Sequence, residues 1–425
     1  MRSTSRLTRL LTWPLCAALL AACSSSSGDD TPPREAALAA IDWTRMKATV
    51  DVLADDALGG RIPGSPGHAA AREHLLTELD ALGLEPFGDD GTYLQTFEGA
   101  GTTDRHMLDA DGAVVPSVKA TGYNVVAVLR GADDALADEY VVLMGHYDHI
   151  GVEADGDVFN GAFDNAGGAA ALLELARVMT SHEVAPGRSI VFLWSDDEES
   201  GLSGAEHWIE NPPVPKERIV AGISADPVGR GVLPDYAPIV LMGLERSPEL
   251  AEVFRDTIPL ADTTVAFLHR DVIIGFASDQ DTFHRAGVPG VWFVTPGMSF
   301  YHTVKDTAET LDYRVMQSAT RYLLRATLAV ADAPGPFSYR DAPAIDAGDV
   351  ANTRPLLAGL LGSSALTADE RAQVESHLAA VDQIIADGNL SSVDDDPTSF
   401  FLPIVLFTAF QLPAAHPGTI PPPTP

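Results

Sequence analysis

The sequence predicts an α/β protein: a three-layer sandwich around a mostly parallel, mixed central sheet, with a C-terminal helical extension. Short runs that are apolar at nearly every position, such as Tyr140–Met144, Ser189–Trp194 and Gly290–Val294, suit strands buried on both faces. Helix-patterned stretches alternate with these runs, as crossover connections in a layered sheet require. From Gly335 onward the pattern is helical alone.

The amino terminus stands apart. Arg2, Arg6 and Arg9 precede an apolar run, Leu10–Ala22, too short to span a bilayer and suited to a signal peptide over residues 1–22. Leu20-Ala21-Ala22-Cys23 resembles the lipobox of bacterial lipoproteins, in which Cys23 carries the lipid. Four serines and Gly28 follow, reading as a flexible tether over 23–34. The expectation is an exported chain anchored to a membrane through lipid. The two cysteines are Cys16 and Cys23, so the body of the chain has neither a disulfide nor a thiolate metal site.

An α/β domain is expected over 35–334. Its first helices are Ile41–Leu53 and one opened by Ser65 and Pro66 and stopped by Gly83. Strands follow at Tyr123–Leu129, Tyr140–Met144, Ser189–Trp194, Ile219–Ser224, Pro238–Met242 and Gly290–Val294. Helices are expected at Ala166–Met179, Pro248–Thr257 and Asp281–Arg285, with Asp312–Ala331 closing the domain. In the extension, 335–413, Thr367 and Glu370 form a capping box for a helix ending near Gly388. The apolar run Phe400–Phe410 is too short to cross a bilayer and should pack on the domain. A Pro-rich disordered tail is expected over 414–425.

Composition narrows the function. Hydrophobic residues are 46% and charged residues 20%, a globular balance. The net charge of −33 repels a phosphate backbone, so nucleic acid is excluded as a partner. Divalent cations and substrates with a free amine are attracted.

In an open α/β sheet, functional groups collect at the carboxyl ends of strands. Here Tyr140–Met144 runs into Gly145-His146-Tyr147-Asp148-His149, and Ser189–Trp194 into Ser195-Asp196-Asp197-Glu198-Glu199. Ile219–Ser224 leads to Asp226, Gly290–Val294 to Tyr301-His302, and Asn160-Gly161-Ala162-Phe163-Asp164-Asn165 heads a helix. Histidine and carboxylate donors without thiolate suit a catalytic zinc site.

These five segments in this order resemble the di-zinc exopeptidases of metallopeptidase family 28, which include secreted bacterial aminopeptidases and glutamate carboxypeptidase. The likeness runs from about Leu58 to Leu311 and takes in Gly60-Arg61-Ile62-Pro63-Gly64-Ser65. It implies two Zn²⁺, one held by His146 and Asp226 and the other by Glu199 and His302, with Asp164 bridging. It implies Asp148 accepting the other ring N–H of His146, Glu198 as general base for a water between the metals, and Tyr301 as oxyanion donor. It also implies a cis Asp164–Asn165 peptide bond. The implied activity is removal of residues from peptides with a free amino terminus.

Some positions depart from the family. Asp196-Asp197 replaces the usual Asp-Gly, adding negative charge near the base, and Gln280 stands where many relatives have His. His149, His182, His207, His269 and His284 match no family role and read as surface or packing residues. A glutaminyl cyclase resembles the same fold and ligands, although Asp164-Asn165 fits the peptidases better. A carboxypeptidase needs cations for the substrate carboxylate, for which Arg230, Arg270 and Arg285 lie near the motifs. A non-catalytic binding lipoprotein on this scaffold is the remaining alternative.

Overall fold

The computed structural model describes residues 31–99, 120–153, 155–272, 277–341, 343–388, 390 and 403–416. The signal segment, Cys23, most of the tether and residues 417–425 of the tail lie outside them.

Helix α1 (Pro33–Ala39) begins inside the expected tether, whose last residues are therefore helical. Helix α2 (Trp43–Leu53) starts where the Asp42 side chain accepts from the Thr44 amide. Helix α3 (Pro66–Leu82) keeps the expected punctuation: Ser65 accepts from His68 N, and Gly83 closes it at φ +66°. Strands β1 (Glu85–Pro86) and β2 (Leu94–Glu98) then pair antiparallel with β3 (Thr121–Leu129). The following elements are β4 (Tyr140–Met144), α4 (Gly167–Ser181), β5 (Ser189–Trp194), α5 (Ser203–Glu210), β6 (Ile219–Ala225) and β7 (Ile239–Met242). Then come α6 (Pro248–Thr257), β8 (Val265–Leu268), α7 (Gln280–Arg285), β9 (Gly290–Val294) and α8 (Tyr313–Asp332). Helices α9 (Ala347–Gly362) and α10 (Ala368–Asp387) form the extension, α10 with the expected Thr367–Glu370 capping box.

The sheet order is β1-β3-β5-β4-β6-β9-β7-β8. The centre, β5-β4-β6-β9, is parallel, and β3 and β7 flank it antiparallel. Period-two alternation divides the strands between two covering layers. Val141, Leu143, Ile190, Phe192, Ile223 and Phe293 face the core made with α2, α4 and α8. Val142, Met144, Val191 and Leu193 face Trp208 of α5 and Phe283 of α7.

The extension completes that second layer. Val240, Met242, Ala266, Leu268, Trp292 and Val294 of β7–β9 pack against Val350, Leu356, Leu357 and Leu360 of α9, Val374 and Val381 of α10, and Ile404, Val405 and Phe407. Uncovering a large apolar side chain forfeits about 1.5–3 kcal/mol. Several such side chains on one sheet face exceed what a domain can lose. The extension is therefore part of the fold, and its described residues group with the domain as one compact unit. Helical structure continues through Leu412–Ala415, so the first residues of the expected Pro-rich tail are ordered.

Candidate metal centre

Strand β4 lies between β5 and β6, with β9 next to β6, so the loops leaving their carboxyl ends open side by side. His146 and Asp148 follow β4, Glu198 and Glu199 follow β5, Asp226 follows β6, and His302 follows β9. Asp164 comes from the loop that enters α4, where the Asp164–Asn165 peptide is cis. Asn165 secures that loop: its Nδ2 donates to Ala225 O at 3.0 Å and its Oδ1 accepts from Gly168 N at 2.9 Å. Gly168 permits the approach, because a Cβ there would lie 2.1 Å from Ala225 O. On its other side, Asp306 accepts from the amides of Phe163 and Asp164 at 2.9 and 3.1 Å and pairs with Arg230 Nη2 at 3.0 Å.

Asp164 faces two ways. Its Oδ1 is 3.1 Å from His146 Nε2, and its Oδ2 is 3.0 Å from His302 Nε2. Asp226 Oδ1 completes the first group at 3.4 Å from His146 Nε2, and Glu199 Oε2 the second at 3.0 Å from His302 Nε2. Zinc bonds of about 2.0–2.2 Å in a tetrahedral arrangement put neighbouring donor atoms roughly 3.3 Å apart. The observed separations match donors around a cation, and imidazole with carboxylate is a zinc donor set. His146, Asp164 and Asp226 bring donor atoms within 4.8 Å of one another, as do His149, Asp164 and Glu199. Glu198 also brings a donor atom within 4.8 Å of those of His146 and Glu199, its Oε2 lying 4.0 Å from His146 Nε2.

Asp148 holds more than the His146 ring. Its carboxylate accepts from the amides of Glu198 and Glu199 at 3.1 and 3.3 Å. His146 Nδ1 lies 3.3 Å from the Asp148 backbone oxygen and 3.5 Å from its carboxylate. The expected carboxylate contact is thus the longer of the two, because two backbone N–H groups claim the carboxylate. Asp148 fixes the turn that presents both glutamates.

The electrostatics set the two glutamates apart. Burial raises the Glu198 carboxyl well above the usual range despite His146, with Asp226, Glu199 and Asp279 adding to the rise. For Glu199, burial and Asp164 act upward, but His302 and His149 outweigh them and hold it at about 2. Burial lowers His302, yet Glu199 and Asp164 bring it up to about 10. Burial, then Asp164 and Glu199, raise the Tyr301 phenol well above its usual value, which keeps its proton on. The Tyr301 ring stacks on His302 with centroids 3.8 Å apart.

Other residues take roles that the motifs did not reveal. His149 is fully buried, not a surface or bystander residue: its Nδ1 is 2.6 Å from Glu199 Oε1. The main chain passes back towards Gly60 at Gly151, turning His149 inward. Arg61, fully buried, donates to backbone oxygens of Leu53, Tyr147, Asn160 and Gly161, tying the early stretch to the loops of His146 and Asp164. Asp196 is buried and met by His68 at 2.8 Å, and the extra charge of the pair is Asp197. Burial, then Asp148, raise Asp197 to about 6. Gln280 is buried and donates to Asp281 at 3.1 Å. Arg230, Arg270 and Arg285 are each paired already, with Asp306, Asp281 and Glu206.

Comparison with known proteins bears on the family and the fold. Residues 124–327 match the model of Peptidase family M28. Leupeptin-inactivating enzyme 1 of Streptomyces exfoliatus is 28% identical over 216 residues, covering 50% of this chain and 40% of that protein. A probable zinc metalloprotease of Pyrenophora tritici-repentis is 35% identical over 201 residues, covering 47% and 41%. The chain spans about half the length of the curated relatives it matches, from 40% to 53%. Among solved structures, an aminopeptidase from Aneurinibacillus sp. strain AM-1 superposes with a TM-score of 0.52 at 17% identity, over 73% of this chain and 98% of the other. A glutaminyl cyclase from Fimbriiglobus ruber does so with 0.54 at 20%, over 68% and 96%, and both likenesses establish the shared fold.

Proposed function

We propose that the chain, which matches the model of Peptidase family M28 over residues 124–327, is an aminopeptidase using two zinc ions. The observation that carries this reading is the two-sided placement of Asp164, one oxygen towards the His146–Asp226 group and one towards the Glu199–His302 group. Zinc supplies Lewis acidity, lowering the pKa of water and polarising the scissile carbonyl. Glu198, close to the donors yet apart from them, takes a proton from the attacking water and returns it to the leaving amine. Tyr301, kept protonated, donates to the oxygen that gains charge.

The substrate end follows from charge. Among the described residues, Arg230, Arg270 and Arg285 are already paired with carboxylates, which favours a free amine over a peptide carboxylate as the end recognised. An ammonium meets an acidic surface instead. The test is a panel of amino-acid p-nitroanilides with free and acetylated amines, with and without chelator. Cleavage of free-amine substrates, abolished by chelator and restored by zinc, is the expected result. Equal cleavage of acetylated substrates would sink the aminopeptidase reading.

Tyr301→Phe should lower kcat by ~10²–10³-fold, the usual cost of one oxyanion donor, with zinc content unchanged. An unaltered kcat would reduce Tyr301 to a ring packed on His302.

Cys23 is also part of the proposal. Lipid there, followed by a polar tether, would place the enzyme at a membrane surface outside the cytoplasm, held by more than one acyl chain. Mass spectrometry of the mature amino terminus decides this, and an unmodified Cys23 ends it.

A further inference from the structure

We propose that His149 is a positioning residue that holds Glu199 to its metal through a single oxygen, and so sets the affinity of the His302-side ion. The inference rests on the two-zinc reading above and adds a residue that the motifs did not supply.

Distance separates positioning from ligation. Two donors on one tetrahedral zinc lie roughly 3.3 Å apart. Glu199 Oε2 and His302 Nε2, at 3.0 Å, fit that spacing. Glu199 Oε1 and His149 Nδ1, at 2.6 Å, do not; this is a short, charge-assisted hydrogen bond. The two oxygens of Glu199 are thereby divided, Oε1 to the His149 N–H and Oε2 to the ion.

The proton on His149 can be located. Its Nε2 is buried without a hydrogen-bond partner. A proton there would be stranded, whereas on Nδ1 it is shared with a carboxylate, so the ring carries its N–H towards Glu199.

The donor is also rigid. The ring lies so close to Gly161, at the start of the Asp164 loop, that a Cβ there would fall 2.5 Å from its Cγ and Cδ2. It meets the His302 ring edge-on, with centroids 5.7 Å apart at 72°. Ligating carboxylates in metal sites are held by such outer partners, whose loss typically costs about 10–100-fold in metal affinity. Without His149, Oε1 is free and Glu199 can rotate.

The experiment compares His149→Leu, which removes the donor, with His149→Asn, whose amide nitrogen can stand near the lost Nδ1. Zinc titrations of the full-length chain should give two ions in wild type and a second ion bound about 10–100-fold more weakly in the Leu variant. The Asn variant should recover most of that affinity. Cobalt substituted at the weaker site should show an altered visible spectrum in the Leu variant and a near-native one in the Asn variant. Wild-type affinity for both ions in the Leu variant overturns the proposal. Equal loss in both variants overturns it too, because the ring rather than its N–H would be what matters, as would collapse of the metal-free melting temperature in both. A wild-type chain that fails to bind two ions strikes instead at the two-zinc reading.

Discussion

Glu198→Gln is expected to retain both zinc ions and to lower kcat by ~10²–10⁴-fold, the usual span for losing general acid–base catalysis. The adjacent glutamates share a turn, and both amides are held by the Asp148 carboxylate, yet their side chains end in different places. Glu199 has both oxygens engaged, one 2.6 Å from His149 and one 3.0 Å from His302. Glu198 reaches only to 4.0 Å from His146 Nε2, near the donors without replacing one. A ligand must stay deprotonated beside a cation, whereas a base must accept a proton and give it back. Glutamine keeps the shape and cannot do the second task. Glu199→Gln should instead weaken metal binding, and excess zinc should restore part of its activity. Zinc content and kcat measured on both variants decide the assignment. Metal loss in the Glu198 variant, with Glu199→Gln tolerated, would reverse it.

Much of this arrangement was legible because it rests on local signals. β4, β5 and β9 occupy the residues that the apolar runs mark, since strands covered on both faces need apolar residues at every position. Edge and short strands escaped. β2 alternates buried and exposed residues within a charged, turn-rich stretch, and β8 is four residues long. Helix α5 follows a positive-φ Leu202 and has no side-chain cap, so its start carries no mark.

The same division runs through the site. The residues expected to bind metal lie in the segments that leave strand ends or enter a helix, and the structure brings them together. His149 follows Asp148 immediately, and strict alternation would send the two to opposite sides. It turns inward to a carboxylate fifty positions away along the chain, a pairing that spacing cannot reveal. Asp306 and Arg61 act on backbone N–H and C=O groups of the Asp164 loop, and backbone groups carry no sequence signature.

The largest loss is expected at Asp164, because it is the donor that both groups share. Asparagine offers one carbonyl oxygen and an NH₂, and the NH₂ cannot ligate a cation. Whichever way the amide turns, one group keeps an oxygen and the other meets two hydrogens. The negative charge lying 3.1 Å from His146 Nε2 and 3.0 Å from His302 Nε2 is lost as well. Asp164→Asn should therefore hold at most one zinc ion, with a fall in kcat at least as large as the ~10²–10⁴-fold expected for the Glu198 variant. Asp226→Asn, which touches the His146 group, should spare the second ion and serves as the control. The loop itself should persist in Asp164→Asn, since the amides of Phe163 and Asp164 remain bonded to Asp306. Thermal melting gives a readout apart from activity. A ligand at a hundred times its Kd stabilises the folded state by about 2.7 kcal/mol, so zinc should raise the wild-type Tm clearly and the variant's far less. Two tightly held ions and a wild-type zinc-dependent Tm rise in Asp164→Asn would show that Asp164 does not bridge, and would remove the central support for a two-metal site.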